Sequence, residues 1–247
     1  MGLVAPIAII RASFSPEKLL AVQQFQRKIR SFVRREGRMT PGQTLAYESM
    51  MPIYGFDYQK QTLDFTQLFG NDAPVSIEIG FGMGASLAEQ ARKNPDRNYI
   101  GIEVHRPGVG SLLVKMKDLG LTNIRVISHD AVEVLNDMIA DSSIELLQLF
   151  FPDPWHKKRH HKRRIVNSEF VGSLHTKIKL GGHLHMATDW QNYAEQMLNV
   201  MQVSEGWQNC SKSNDYIPQP EDRPVTKFQK RGEGLGHGVW DLMFVRV

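Results

Sequence analysis

From Pro74 onward, short apolar runs alternate with stretches of helical period. Residues 75–79, 99–104, 124–128, 144–150 and 184–187 read as buried strands, because each is a short apolar run bounded by turn residues. Residues 85–92, 109–119, 131–139, 167–180 and 190–203 place their apolar side chains at helical spacing. Gly120 reads as a helix C-cap, and Gly181-Gly182 as the end of the helix before it. Alternation at this spacing predicts βαβ units and a parallel sheet covered on both faces, an α/β fold. After Gln208 the alternation stops. Residues 207–210 and 239–247 are expected to pair antiparallel at the sheet edge, with 214–238 as a long loop between them.

The chain before Pro74 is less regular. Residues 15–38 begin with helical spacing and turn basic, with Arg27, Lys28, Arg30, Arg34, Arg35 and Arg38. Two readings stand side by side: an arm that reaches a phosphate backbone, and a mobile terminus. Residues 40–70 read as irregular, broken by Pro52 and Gly55, with aromatics that pack onto the main sheet. The expected organisation is a basic, partly flexible arm over 1–40 and one large domain over 41–247.

Composition narrows the function classes. With 247 residues, 41% of them hydrophobic, the chain can bury a full core. The net charge of +4 is mild, but six of the 30 Lys and Arg residues fall between Lys157 and Arg164. Clustered base points to phosphates more than to general solubility. The single cysteine, Cys210, forms no internal disulfide and no zinc site by itself, which fits a reducing cytoplasm. No apolar run is long enough for a membrane span, and residues 1–10 lack the marks of a signal peptide. The histidines cluster among cations, where a metal ion would be costly, so no metal is expected.

Three strand ends carry candidate chemistry. Gly80, Gly82 and Gly84 form a G-x-G-x-G loop between a strand and a helix, where backbone can approach a ligand closely. The third glycine comes one residue earlier than in the dinucleotide fingerprint. Glu78 just before it is hostile to a pyrophosphate and suits an ammonium or sulfonium. These features weigh against a dehydrogenase. Glu103 ends the second strand, where an acid can accept both hydroxyls of a ribose. Asp130 ends the third and either accepts from an adenine amino group or N-caps the next helix.

The fourth strand runs into Phe-Phe-Pro-Asp-Pro-Trp, residues 150–155, and then nine cationic or titratable residues, His156 to Arg164. Pro152 and Pro154 hold Asp153 in an extended turn. A carboxylate beside an aromatic and a dense positive patch suggests chemistry on a polyanion. Near the C-terminus, Thr226-Lys227-Phe228-Gln229 reads from its residues alone as a polar loop that could close over a base.

Several blocks together resemble a known family. Glu-Ile-Gly-Phe-Gly-Met-Gly from Glu78, Gly-Ile-Glu-Val-His from Gly101 and His-Asp-Ala from His129 are similar to the bacterial tRNA (guanine-N7)-methyltransferases. So are Phe-Pro-Asp-Pro-Trp-His-Lys-Lys-Arg-His-His-Lys-Arg-Arg from Phe151, Ala-Thr-Asp-Trp from Ala187, and Thr-Lys-Phe from Thr226. The Pro-Asp-Pro-Trp-His-Lys block is the most specific. The resemblance implies a Rossmann-like methyltransferase fold, with S-adenosylmethionine as donor and S-adenosylhomocysteine as product. The implied acceptor is N7 of a guanine in the tRNA variable loop. Glu78, Gly80, Gly82, Gly84, Glu103, Asp130 and Asp153 would bind the donor, and Asp153 would also serve catalysis. Lys157, Asp189, Thr226, Lys227, Phe228 and Gln229 would contact the substrate. Arg159, His160, His161, Lys162, Arg163 and Arg164 would bind RNA. The family usually has Glu where this chain has Gln229. Rival readings are a non-catalytic RNA-binding module and a methyltransferase on another acceptor. A monomer is expected, with a dimer left open.

Overall fold

The computed structural model describes residues 30–32 and 37–247, apart from the side chains of Phe228 and Glu233. The chain divides into compact units 1–30 and 31–247, and every element below lies in the second. The expected helix over 15–38 and the arm over 1–40 fall largely outside the described residues. Residues 30–32 and 37–40 carry no helix.

The first helix, α1 (Pro41–Tyr54), lies where irregular chain is expected. Thr40 explains it. Its hydroxyl accepts from the Gln43 N–H at 3.3 Å, and Gln43 Oε1 accepts from the Thr40 N–H at 2.9 Å, a reciprocal cap. Pro41 sits at the first turn, where its missing N–H costs nothing. Pro52 falls in the last turn, just before the helix gives way to β1 (Gly55–Phe56). Helix α2 (Phe65–Phe69) follows.

The alternating region then forms β2 (Val75–Ile79), α3 (Ala85–Lys93), β3 (Asn98–Ile102), α4 (Arg106–Leu119), β4 (Ile124–Ile127), α5 (Ala131–Met138) and β5 (Ile144–Phe150). A 3-10 helix (Lys158–Arg163), α6 (Ser168–Lys177), β6 (Ile178–Thr188), α7 (Gln191–Gln202) and β7 (Trp207–Asn209) come next. The chain closes with α8 (Lys227–Gly234) and β8 (Trp240–Arg246). The sheet order is β1-β4-β3-β2-β5-β6-β8-β7. All neighbours are parallel except β6–β8 and β8–β7, the expected antiparallel edge.

Two expected boundaries are wrong for physical reasons. Gly181-Gly182 does not end a helix. The helix stops at Lys177, and Ile178 already pairs with Ile144. The register shifts between Ile144 and Leu146, and a Cβ on Gly182 would meet the Glu145 carbonyl oxygen at 2.9 Å. The glycines therefore admit a bulge within one long strand. The expected loop over 214–238 contains α8, whose glycines disguised it. Its start is held by Thr226 Oγ1, which accepts from the Gln229 N–H at 3.1 Å.

Helices α5, α6 and α7 cover one sheet face with Leu135, Phe170 and Met197 among their core side chains. Helices α1, α3 and α4 cover the other with Met50, Leu87 and Leu112. As expected, the aromatics Tyr47, Tyr54, Phe56, Tyr58 and Phe65 pack against these clusters. From β2 the strand order runs one way through β3 and β4, and then jumps back to β5. That reversal opens a crevice at the carboxyl ends of β2 and β5.

Candidate active site

A cavity of about 1140 Å³ occupies this crevice. The glycine loop forms one wall. Gly80, Gly82 and Gly84 have φ of 70°, 57° and 71°, the left-handed region that side chains with a Cβ rarely adopt. Helix α4 presses on this loop so closely that a Cβ on Gly108 would lie 2.2 Å from the Gly82 carbonyl oxygen. Gly80 and Gly82 line the cavity, whereas Gly84 starts α3 behind them.

The two strand-end glutamates meet this wall differently. Glu103 Oε1 accepts from the N–H groups of Val104 and His105 at 2.7 and 2.9 Å, and Oε2 accepts from the Gly82 N–H at 2.9 Å. Each carboxylate oxygen offers two lone pairs, so Oε2 keeps one for a ligand. Glu78 is 3% exposed, and its Oε2 has no hydrogen-bond partner. Burial, helped by the Glu103 charge, pushes its carboxyl up to about 8. Behind it, Gln148 donates to Gln90 Oε1 at 2.7 Å.

Asp130 takes the capping role that is one of its two readings. Its carboxylate accepts from the Val132 N–H at 3.0 Å and caps α5, while the flanking His129 and Ala131 line the cavity. Only Oδ1 serves the cap, so the other carboxylate oxygen leaves the adenine contact open.

The exit of β5 supplies the opposite wall. Phe151 and Trp155 have φ of 51° and 48°, strained for residues with a Cβ. Structure on either side holds them. The Phe151 N–H donates to Ala187 at 2.7 Å, and Trp155 Nε1 donates to the Ser31 carbonyl at 3.0 Å. Between them Asp153 is exposed at the cavity wall.

The cationic run after Trp155 divides. Lys157, Lys158, Arg159 and Lys162 are exposed, and Lys157 lines the cavity. His160 and His161 are half-buried. Desolvation and then its cationic neighbours hold His160 below the usual imidazole range. The Arg163 guanidinium lies 4.0 Å from the centre of the Trp155 ring. Arg164 departs from its expected role in RNA binding, since it is 2% exposed. It donates to the Pro154 carbonyl at 2.9 Å, Gln196 Oε1 at 2.5 Å and Asn192 Oδ1 at 2.9 Å. It turns inward because α7 offers acceptors that water would otherwise replace.

Across the cavity, Thr226 and Lys227 line the wall. Gln229 does not. It is buried, accepting from Arg223 Nη1 at 2.8 Å and donating to Gln219 Oε1 at 2.8 Å, so a substrate contact from it is corrected to an internal one. The Phe228 side chain lies outside the described residues. Asp189 is also absent from the cavity lining. It packs against α8, where a Cβ on Gly232 would come 2.8 Å from its Oδ2. Ser31, Phe32, His129 and Lys230 line the cavity without having been expected there. Only His129 left a signal, as the neighbour of a strand-end acid. Among the described residues no three His, Cys, Asp or Glu side chains could hold a metal ion, and no helix is long and apolar enough to cross a membrane.

Comparison with known proteins bears on this geometry. A family model described as "Putative methyltransferase" matches residues 72–242. The tRNA (guanine-N(7)-)-methyltransferase of Yersinia enterocolitica is 60% identical over 220 residues, 89% of this chain and 92% of that protein. The protein of the same description from Pseudoalteromonas translucida is 60% identical over 224 residues, 91% and 93% of the two chains. Among solved structures, the 16S rRNA methyltransferase KamB aligns with a TM-score of 0.56 at 16% identity, over 76% of this chain and 95% of that one. The aminoglycoside resistance methyltransferase NpmB1 aligns at 0.51 and 18%, over 77% and 95%. At these identities the two structures speak for the fold alone.

Proposed function

The chain belongs to the tRNA (guanine-N(7)-)-methyltransferase family, and we infer that it methylates N7 of a guanine in tRNA, with S-adenosylmethionine as donor. The acceptor is the guanine of the variable loop. The observation that carries the assignment of the donor site is the orphaned, buried Glu78 oxygen in the cavity that Asp153 and Lys157 also line.

The residues present fit the donor. Glu78 offers an unpaired carboxylate oxygen to its cationic methionine end, and the remaining Glu103 lone pair suits a ribose hydroxyl. Gly80 and Gly82 let backbone come close. When bound, the donor supplies an electrophilic methyl group on a sulfonium.

Guanine N7 carries an in-plane lone pair and no proton, so no general base is required before attack. The protein's work is to position and to screen charge. Asp153 grips the amino edge of the base and stabilises the positive charge that develops on the purine. Lys157, Thr226 and Lys227 orient the acceptor from either side of the cavity. The exposed Lys158, Arg159 and Lys162, with His161 and Arg163 beside them, hold the tRNA backbone by releasing counterions. The basic segment within residues 1–40 adds to that grip. The single cysteine, with no partner for an internal disulfide, fits work in the cytoplasm.

The test is incubation with labelled S-adenosylmethionine and bulk unmodified tRNA, followed by nucleoside analysis. Label in 7-methylguanosine supports the reading. Label in another nucleoside, or none, rejects it.

A further inference from the structure

An ion pair that the chemistry above does not use lies behind α8. The side chains of Arg223 and Asp241 are both buried. Arg223 Nη2 donates to Asp241 Oδ2 at 2.9 Å, and Nε lies 2.7 Å from Oδ1, off the line a hydrogen bond needs. The same Oδ1 is 2.9 Å from Nε2 of His185 on β6. On its other side, Arg223 Nη1 donates to Gln229 Oε1 of α8. Gln229 Nε2 donates to Gln219, and Gln219 Nε2 returns to the Arg223 carbonyl at 2.9 Å. The guanidinium also sits 5.8 Å from the ring centres of Phe150 and Phe151, at the exit of β5. One side chain thus joins β8, α8, the 219–223 turn and the strand that delivers Asp153.

A buried ion pair is a poor device for stability, because desolvation offsets most of the attraction. It is a good device for fixing geometry. Only a guanidinium can hold a carboxylate and an amide at once, in a planar fork. The residues that follow, Pro224, Val225, Thr226, Lys227 and Lys230, line the cavity.

We propose that Arg223 is a positioning residue for methyl transfer: it fastens residues 224–230 to the sheet, so that Thr226 and Lys227 meet the acceptor base in one geometry. This rests on the reading of the site as a tRNA guanine-N7 methyltransferase. A misplacement of about 1 Å can reduce a rate by about 100-fold.

The wild type, Arg223→Lys, Arg223→Gln and Gln229→Ala are compared for tRNA methylation kcat, KM for tRNA, S-adenosylhomocysteine affinity by calorimetry, and hydrogen exchange. Arg223→Lys keeps the charge but loses the planar fork whose two ends reach Gln229 and Asp241. Its kcat is expected to fall about 10- to 100-fold. S-adenosylhomocysteine affinity should hold, and faster exchange should be confined to 219–235. Gln229→Ala leaves the Arg223–Asp241 pair in place and should show the same pattern more weakly. Wild-type turnover in all three variants would overturn the proposal. So would faster exchange across the whole sheet with a parallel loss of S-adenosylhomocysteine binding, the mark of an ordinary core residue. If the Arg223 variants do not fold, Gln229→Ala decides: unchanged exchange over 224–230 overturns the fastening. Failure of the wild type to methylate tRNA would count against the functional reading, and the exchange comparison would still decide whether Arg223 holds this segment.

Discussion

Glu78 and Glu103 end neighbouring parallel strands and line one cavity, yet only Glu103 has its carboxylate satisfied. Three backbone N–H groups bond Glu103, whereas Glu78 Oε2 has no partner. The Glu103 charge also helps to raise the Glu78 carboxyl to about 8. An unsatisfied acid beside a satisfied one is a site that waits for a cation.

That arrangement makes stability depend on pH in a defined direction. The Glu78 carboxyl stands at about 8 when folded, against 4.5 as its ordinary value. Between these values the folded state holds the extra proton, so stability is full below about 4.5 and falls as pH rises toward about 8. The Glu78→Gln variant should escape this loss and gain a few kcal/mol, about 3–5, relative to the wild type near pH 8.5. It should also lose S-adenosylmethionine affinity. Urea unfolding at pH 5 and 8.5, with calorimetric titration, checks both. Parallel pH curves for the two proteins would count against the assignment.

Donor binding should release a proton. A cation beside Glu78 favours its ionised form, so binding at pH 6.5 should expel close to one proton, and the release should fade above pH 8. Titrations in buffers of different ionisation enthalpy measure it directly. A buffer-independent heat at pH 6.5 would contradict the role given to Glu78.

Asp153→Ala should reduce single-turnover methylation by at least about 100-fold while S-adenosylhomocysteine affinity changes little. Asp153 stands exposed at the wall, where it can meet the base without underpinning the core. Rapid-quench assays separate the two effects, and near-normal single-turnover rates would reject the assignment.

The cationic run should split under mutation. Replacing Lys158, Arg159 and Lys162 by Ala should leave folding intact and flatten the salt dependence of tRNA affinity, by about 0.7–0.9 in log–log slope per cation removed. Arg164→Ala should instead destabilise by about 2–4 kcal/mol, since it strands Asn192, Gln196 and the Pro154 carbonyl. Filter binding at graded salt and thermal melts distinguish the groups.

Gly108→Ala should damage the donor site from behind. The added Cβ would lie 2.2 Å from the Gly82 carbonyl oxygen, backbone that can yield only by moving the glycine loop. Loss of S-adenosylhomocysteine affinity with a lowered Tm is expected, and an unchanged affinity would show that the loop can retreat without cost.

Much of this fold is legible along the chain. The alternation from Val75 to Phe150 gives strands and helices within a few residues of those observed, and the antiparallel edge follows from where alternation ends. Glu78, Glu103 and Asp153 are found the same way, because an acid at a strand's carboxyl end is recognisable from its neighbours. Helix α1 was hidden by prolines that turned out to sit at its first and last turns, and α8 by its glycines.

Sequence alone determined the layered sheet, the place of its crevice and the acids at its rim, since periodicity, caps and strand ends are local properties. Tertiary structure alone decided which charges serve solvent and which serve the core. Lys162 and Arg164 look alike in a basic run. What separates them is Gln196, 32 residues from Arg164. Gln229 looks like a loop amide until Arg223 meets Asp241 across 18 residues. A side chain's direction is set by the acceptors that folding brings to it, and no local pattern carries that information.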